Sequence, residues 1–339
     1  MSRRDSSSTR VALTCVGALL LAACGDNESA FAPDGPQAAL VANLWWYMLA
    51  IATVVWLLVV AFLAYALKRA HARKQALPEP EGEGKMKRAV TVGFALTVLL
   101  LIINLVYSVS TGRAMATLPR EDALRIKVVG HQWWWEAVYE DPTPSNQLTV
   151  ANEIHVPVGE PVQIISTSRD VIHSLWAPNL MGKKDLIPGY TTATWFQADT
   201  PGVYRGQCAE FCGHGHARMA VLIVAEPREK FEGWYRSQLQ PAAGPTDSIV
   251  AEGQRVFMSG GCPICHTVGG TRAMGRLGPP LTHIGSALTI AAGSLPNTRG
   301  NMAGWIVDPQ RIKPGVRMPP NSLSGPDLQA LIAYLESLK

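Results

Sequence analysis

Twelve residues, CAEFCGHGHARM from Cys208 to Met219, gather two cysteines, two histidines and a methionine in a 339-residue chain that holds six cysteines and eight histidines. Three chemistries compete for such a run. A disulfide between Cys208 and Cys212 could close a tight loop in an oxidising compartment, but it leaves His216 and Met219 without a role. Zinc accepts two thiolates and two imidazoles, yet has little use for a thioether. Copper suits the set best, because thiolate, thioether and imidazole are the ligands it favours. A distant histidine would complete the site, and His173, within Asp170-Val171-Ile172-His173-Ser174, is the best placed.

The second chemical run is Cys262-Pro263-Ile264-Cys265-His266. A C-x-x-C-H sequence signals covalent haem c: both thiols bond the porphyrin vinyl groups, and the adjacent histidine becomes the proximal iron ligand. A thioredoxin-like pair would need a βαβ setting and a zinc half-site a partner pair of its own, and this segment has neither. A downstream methionine is expected opposite His266, since Met/His ligation raises the potential for electron transfer. Among Met274, Met302 and Met318, the last is favoured: it lies in Gly315-Val316-Arg317-Met318-Pro319-Pro320, which resembles the ligand loop of small cytochromes c. Pro279-Pro280-Leu281 resembles the loop that packs beside their haem.

Three blocks in order, Gly130-His131-Gln132-Trp133-Trp134-Trp135, then Asp170 to Ser174, then Cys208 to Met219, resemble subunit II of haem–copper cytochrome c oxidases. The resemblance covers roughly Leu40 to Gln238. It implies a dinuclear copper A centre, with Cys208 and Cys212 bridging two copper ions, His173 and His216 ligating one each, and Met219 as a weak ligand. The backbone carbonyl of Glu210 would be the remaining ligand, and its carboxylate would reach towards a magnesium or manganese ion at the junction with subunit I. Two bridging thiolates let the coppers share one electron, so the charge change is spread and few bonds move. His214 follows Cys212 by two residues where the family's ligand follows by four, and so falls outside the implied ligand set. Trp133 is implied as the electron-inlet residue. Trp134 and Trp135 are expected in packing roles, because successive side chains of a strand face opposite ways.

The elements that must position these groups are legible around them. Arg3, Arg4 and Arg10, an apolar run from Val11 to Leu21, and Leu21-Ala22-Ala23-Cys24 describe a secretory signal over 1–23 whose end resembles a bacterial lipobox, so Cys24 is expected to carry lipid in a segment 24–37. Cys15 lies within that signal, so the six cysteines divide among leader, lipid, copper and haem and leave none for a structural disulfide. No charged residue falls between Ala38 and Leu67, or between Ala89 and Gly112, and each stretch is long enough to span a bilayer. A transmembrane hairpin is expected over 38–112, with helices at about 40–67 and 89–111 and a basic connector 68–88 that the positive-inside rule places in the cytoplasm. Strand-like runs at Leu124–Val129, Val162–Ser166, Thr192–Gln197 and Ala220–Val224, separated by Gly/Pro turns, predict a β-sandwich or barrel over 113–237. A Pro/Ala/Gly-rich linker, 238–247, leads to a helical unit over 248–339. There Ile249, Gly253, Val256 and Phe257 form one helical face, and Leu328, Leu331, Ile332, Leu335 and Leu338 another.

The expected architecture is therefore a multidomain membrane protein: a two-helix transmembrane hairpin, a cupredoxin-like β-sandwich or barrel, and an all-α class I cytochrome c domain. Subunit II followed by cytochrome c resembles the caa type of bacterial oxidase. The resemblance implies a multi-pass protein of the bacterial inner membrane with its copper and haem domains on the periplasmic face. Implied partners are subunit I, with haem a and the haem–copper oxygen site, subunit III, an external cytochrome c or similar donor, and membrane lipid. A net charge of +4 with no basic stripe gives no indication of nucleic acid. Tethering raises the effective concentration of the donor haem at the copper domain. An alternative in the same chemistry is the copper A subunit of a nitric oxide reductase, and one outside it is a copper carrier for assembly, for which a haem has no evident use. Many family members carry a glutamate near the start of the second membrane helix; here Glu83 is the nearest acid before Lys85-Met86-Lys87-Arg88.

Overall fold

The computed structural model describes residues 28–72, 83–117 and 123–339. The expected signal 1–23 and the lipidation site Cys24 lie outside the described residues. The chain forms two compact units, one from Ala39 to Thr117 and one that joins the residues before it to everything from Leu118 onward.

The first unit is built on two helices, α1 (Pro36–Ala72) and α2 (Glu83–Ala116), both long and apolar enough to cross a membrane. Apolar side chains surround each helix instead of forming a stripe, as expected where the surroundings are hydrocarbon. Tyr47 and Tyr107 pack edge to face across the pair, with ring centroids 4.8 Å apart. Both helices outrun the expected limits of 40–67 and 89–111, so the 68–88 connector is shorter than charge alone suggested. The reason is local: Lys, Arg and Ala are strong helix formers, and a change from apolar to charged side chains ends a membrane span without ending a helix.

In the second unit a β-sandwich comes first. Its strands are β1 (Leu124–His131), β2 (Trp134–Tyr139), β3 (Leu148–Ala151), β4 (Glu153–Pro157), β5 (Val162–Ser168), β6 (His173–Trp176), β7 (Lys184–Leu186), β8 (Thr192–Phe196), β9 (Gly202–Cys208) and β10 (Ala220–Glu226). They form two five-stranded sheets, β3-β2-β1-β5-β8 and β4-β10-β9-β6-β7. Alternation drives the burial: Trp135, Ala137 and Tyr139 of β2 point inward, as do Val162, Ile164, Ser166 and Ser168 of β5. A helix that strand patterning did not foresee, α3 (Arg228–Gln238), closes one end, packing Phe231, Trp234 and Tyr235 around the buried ring of Tyr139. Residues 28–35 of the expected 24–37 segment lie along this domain, where the Asp34 amide donates to the Asn179 carbonyl at 2.7 Å.

The helical domain follows through α4 (Ser248–Ser259), α5 (Cys262–Cys265), α6 (Arg299–Val307), α7 (Pro309–Ile312) and α8 (Gly325–Ser337). The Asp247 side chain caps α4 by accepting from the amides of Ile249 and Val250, both at 2.9 Å. Helices α4 and α8 cross at Gly253, where a Cβ would stand 2.0 Å from the Ala330 carbonyl oxygen. The buried face of α4 is Val250, Gly253, Val256 and Phe257. Ile249, expected on that face, is instead 60% exposed, because the crossing at Gly253 turns Val250 inward in its place.

Candidate metal centre and haem cleft

Cys208 ends β9, and its amide donates to the Met219 carbonyl at 3.0 Å, so the β9–β10 pairing closes the base of the Cys208–Met219 loop. His173 opens β6, which pairs with β9 in a register that sets Leu175 opposite Cys208. Sheet register thus carries a histidine from 35 residues away to the thiol. Its imidazole is fully buried, lodged over Gly130 of β1, where a Cβ would lie 2.7 Å from His173 Cδ2. Trp135 meets the same ring edge-on at 5.9 Å.

The two sulfurs lie 3.7 Å apart. A disulfide needs about 2.05 Å, so the pair is free. A metal ion with thiolate bonds of about 2.3 Å can touch both at once. Around them stand His173 Nδ1 at 3.9 Å from Cys208 Sγ, the Glu210 carbonyl at 3.2 Å from the same sulfur, His216 Nδ1 at 3.7 Å from Cys212 Sγ, and Met219 Sδ at 3.9 Å from it. Cys208, Cys212 and Met219 are buried. All six donors named from the sequence therefore converge, and as two thiolates, two imidazoles, a thioether and a carbonyl they fit copper. His214 is exposed and stays outside the cluster.

Two features of the electrostatics prepare the pair. Hydrogen bonding from Cys212 lowers the Cys208 thiol to about 3 against the opposing effect of burial, with His173 and the Ser174 and Glu210 backbone helping, while Cys212 is raised by the same neighbour. Ionisation of the pair is therefore favoured at Cys208 over Cys212. Asp170, whose place in the site sequence reasoning did not notice, accepts from His173 Nε2 at 2.9 Å and from the Gln132 amide at 2.8 Å. Burial opposes its ionisation, but these bonds and that from the Val171 amide outweigh burial and hold its carboxyl below the usual carboxylate range. With Nε2 engaged by Asp170, Nδ1 of His173 is left facing the sulfurs.

Trp133 lies in the β1–β2 turn, 8% exposed, and donates through Nε1 to the Cys212 carbonyl at 2.8 Å. Trp135 is buried in the core and Trp134 stacks on His131 at 4.2 Å, so the three indoles face three different surroundings.

The helical domain holds a cleft of about 120 Å³ lined by Cys262, His266, Met302 and Met318, with Phe257, Trp305 and Leu331 among its apolar walls. His266 Nδ1 lies 2.7 Å from the Pro279 carbonyl, which requires the proton on Nδ1 and leaves Nε2 free to ligate. Burial lowers the pKa of this imidazole and keeps it neutral. Met318 lies on the cleft wall, as does Met302 from α6, whereas Met274 is 75% exposed and away from it. Ala151 and Asn152 of the β-sandwich line the cleft as well.

Two apolar helices, a cupredoxin-like sandwich with a soft-ligand loop, and a helical domain with a C-x-x-C-H cleft define a membrane subunit that carries two redox domains. The sequence matches the family described as cytochrome c oxidase subunit II, periplasmic domain, over residues 124–226, and cytochrome c over residues 250–339. It is 34% identical over 325 residues to cytochrome c oxidase subunit 2 of Alkalihalophilus pseudofirmus, covering 93% of this chain and 92% of the relative. Cytochrome c oxidase subunit 2 of Bacillus sp. strain PS3 is 31% identical over 276 residues, 76% of each chain. The crystal structure of the periplasmic domain of oxidase subunit II from Bradyrhizobium japonicum is 32% identical, covers 36% of this chain and 96% of that one, and superposes with a TM-score of 0.34. The chain belongs to the cytochrome c oxidase subunit 2 family and carries a cytochrome c domain after the copper domain. It is thus part of a haem–copper oxidoreductase complex built with subunit I, and the two domain types imply copper A and haem c.

Proposed function

We propose that this chain is the electron inlet of a caa-type cytochrome c oxidase of the bacterial inner membrane. It would take electrons from an external cytochrome c or similar donor through its haem c domain and hand them, by way of copper A, to subunit I for reduction of dioxygen to water coupled to proton translocation. When bound, haem c and the copper pair supply reversible one-electron chemistry. The observation that carries this reading is the free sulfur pair, 3.7 Å apart, ringed by two imidazoles, a thioether and a carbonyl.

The chain's own residues have separable tasks in it. Cys208, Cys212, His173, His216, Met219 and the Glu210 carbonyl would hold the copper pair, and the Glu210 carboxylate would serve a magnesium or manganese ion shared with subunit I. Cys262 and Cys265 would anchor the porphyrin, and His266, its tautomer fixed by the Pro279 carbonyl, would offer Nε2 to the iron. Met318 would supply the second iron ligand. Its loop supports this choice, since Gln310 Nε2 donates to the carbonyls of Val316 and Met318 at 2.6 and 3.0 Å and holds the backbone in place. Met302, 4% exposed on α6, packs the wall. Trp133 covers the copper loop and is the residue through which electrons arrive. Domain limits of 38–112, 113–237, 238–247 and 248–339 assign α3, all but its last residue Gln238, to the copper domain.

The test is spectroscopy on the assembled oxidase, loaded with haem and copper. One c-type haem and two coppers per chain are expected, with a hyperfine pattern from one electron shared by both coppers, and Cys208→Ser should abolish that pattern. A one-copper spectrum in the unmutated protein, or zinc in the site, would overturn the assignment.

A further inference from the structure

Lys313 is a buried base in an unusual place. It follows α7 in the cytochrome domain, is 1% exposed, and ranks among the largest fully buried side chains of the described residues. A buried amine needs acceptors, and Lys313 has one from each domain: Nζ donates to the Trp133 carbonyl of the copper domain at 2.6 Å and to the Ala291 carbonyl of its own at 3.2 Å. Burial pushes its pKa down to about 7.

The residues next to Lys313 reach the same tryptophan. Gly315 has φ of +88°, and a Cβ there would lie 3.2 Å and 3.3 Å from Trp133 Cη2 and Cζ3, so the glycine backbone lies against the indole. Its amide donates to Gln310 Oε1 at 2.9 Å, and the same Gln310 side chain donates to the Met318 carbonyl. On the far side of the indole, Nε1 bonds the Cys212 carbonyl. A continuous series of packed and hydrogen-bonded groups therefore runs from the Met318 loop through Gln310, Gly315 and Trp133 to Cys212. Two further contacts brace it: Arg218 donates to the Ile312 carbonyl, and the Ala220 amide, next to Met219, donates to the Ala292 carbonyl at 3.0 Å.

We infer that Lys313 is a positioning residue that pins the Met318 loop of the cytochrome domain onto Trp133, so that the two redox domains work from one fixed docked pose and not from a shuttling tether. This rests on the proposed function, and adds to it the residue that sets the geometry of internal transfer. Distance and packing govern such a step, and a small displacement of its parts costs rate without touching either centre.

The experiment uses the assembled, fully loaded oxidase. One electron is delivered to the cytochrome domain by a photoexcited reductant, and equilibration with the copper pair is followed optically; hydrogen exchange at residues 312–318 and 131–134 reports docking independently of electron flow. Lys313→Met should slow internal equilibration about tenfold or more and speed exchange in both segments, while the haem potential and the copper spectrum stay as in the parent. Lys313→Arg, which keeps a buried donor, should recover most of the rate. Gly315→Ala, which leaves Lys313 alone but pushes the loop off the indole, should slow equilibration too, and it decides the matter should Lys313→Met fail to load its cofactors. An unchanged internal rate in a loaded Lys313→Met protein, or in Gly315→Ala where that substitution decides, overturns the positioning role while leaving the copper and haem assignments standing. Absence of the shared-electron copper spectrum in the parent would bring down those assignments instead.

Discussion

At the scale of single residues, the site divides into ligands that announce themselves and supports that do not. Cys208, Cys212, His216 and Met219 fall within twelve residues, so local spacing alone exposed them. Asp170 did not stand out, because an acid three residues before a histidine has no meaning until the turn into β6 brings its carboxylate 2.9 Å from His173 Nε2. Supports of this kind typically alter metal affinity by about 10–100-fold. Asp170→Ala should therefore weaken copper binding by about that factor, measured by titration of the full chain against a competing chelator, with Asp170→Asn, which retains an acceptor, in between. Equal affinity in parent and Asp170→Ala would show that Asp170 does not orient the imidazole. Lys313 was less legible still: its acceptor at Trp133 lies 180 residues away, and nothing in a sequence pairs an isolated lysine with a backbone carbonyl.

At the scale of elements, periodicity was informative where an element had length enough to show it. The four strand-like runs set off by Gly/Pro turns match β1, β5, β8 and β10 to within two residues at either end, and the two apolar helices were plain from hydropathy. Strands β3, β6 and β7 have only four, four and three residues, too few to display a period of two. Helix α3 hid behind its charges, although Phe231, Trp234 and Tyr235 stand at helical spacing. The α4–α8 crossing sets the back wall of the haem cleft, and its closeness depends on Gly253. A methyl group there cannot fit 2.0 Å from the Ala330 oxygen, so Gly253→Ala should force the helices apart and destabilise the domain by about 1–3 kcal/mol. Thermal unfolding of the loaded chain, followed at the haem absorbance, measures this; a midpoint equal to the parent's would mean the crossing yields without cost. Asp247→Ala, which removes the α4 cap, should cost less, about 1 kcal/mol, in the same assay.

At the scale of the whole unit that follows the membrane hairpin, several contacts join the copper and cytochrome domains, and the Lys313 amine in one of them titrates. Lys313 carries an ordinary lysine pKa of 10.5 when its surroundings are water, and about 7 in the docked structure, chiefly through burial. The sign follows from proton counting. Between pH 7 and about 10.5 the open or unfolded chain holds a proton on this amine that the docked chain has given up, so docking releases a proton and grows stronger as pH rises through that window. Below pH 7 both forms are protonated and the full penalty of burying an ammonium is present. The thermal midpoint of the loaded parent should therefore contain a component that increases from pH 7 to 9, and Lys313→Met, which buries no charge, should lack it. The difference between the two midpoints would then shift in the parent's favour with rising pH. A difference that stays constant from pH 7 to 9 would mean that Lys313 meets water in the working protein, and that the domains part there more readily than the contacts at Trp133 imply.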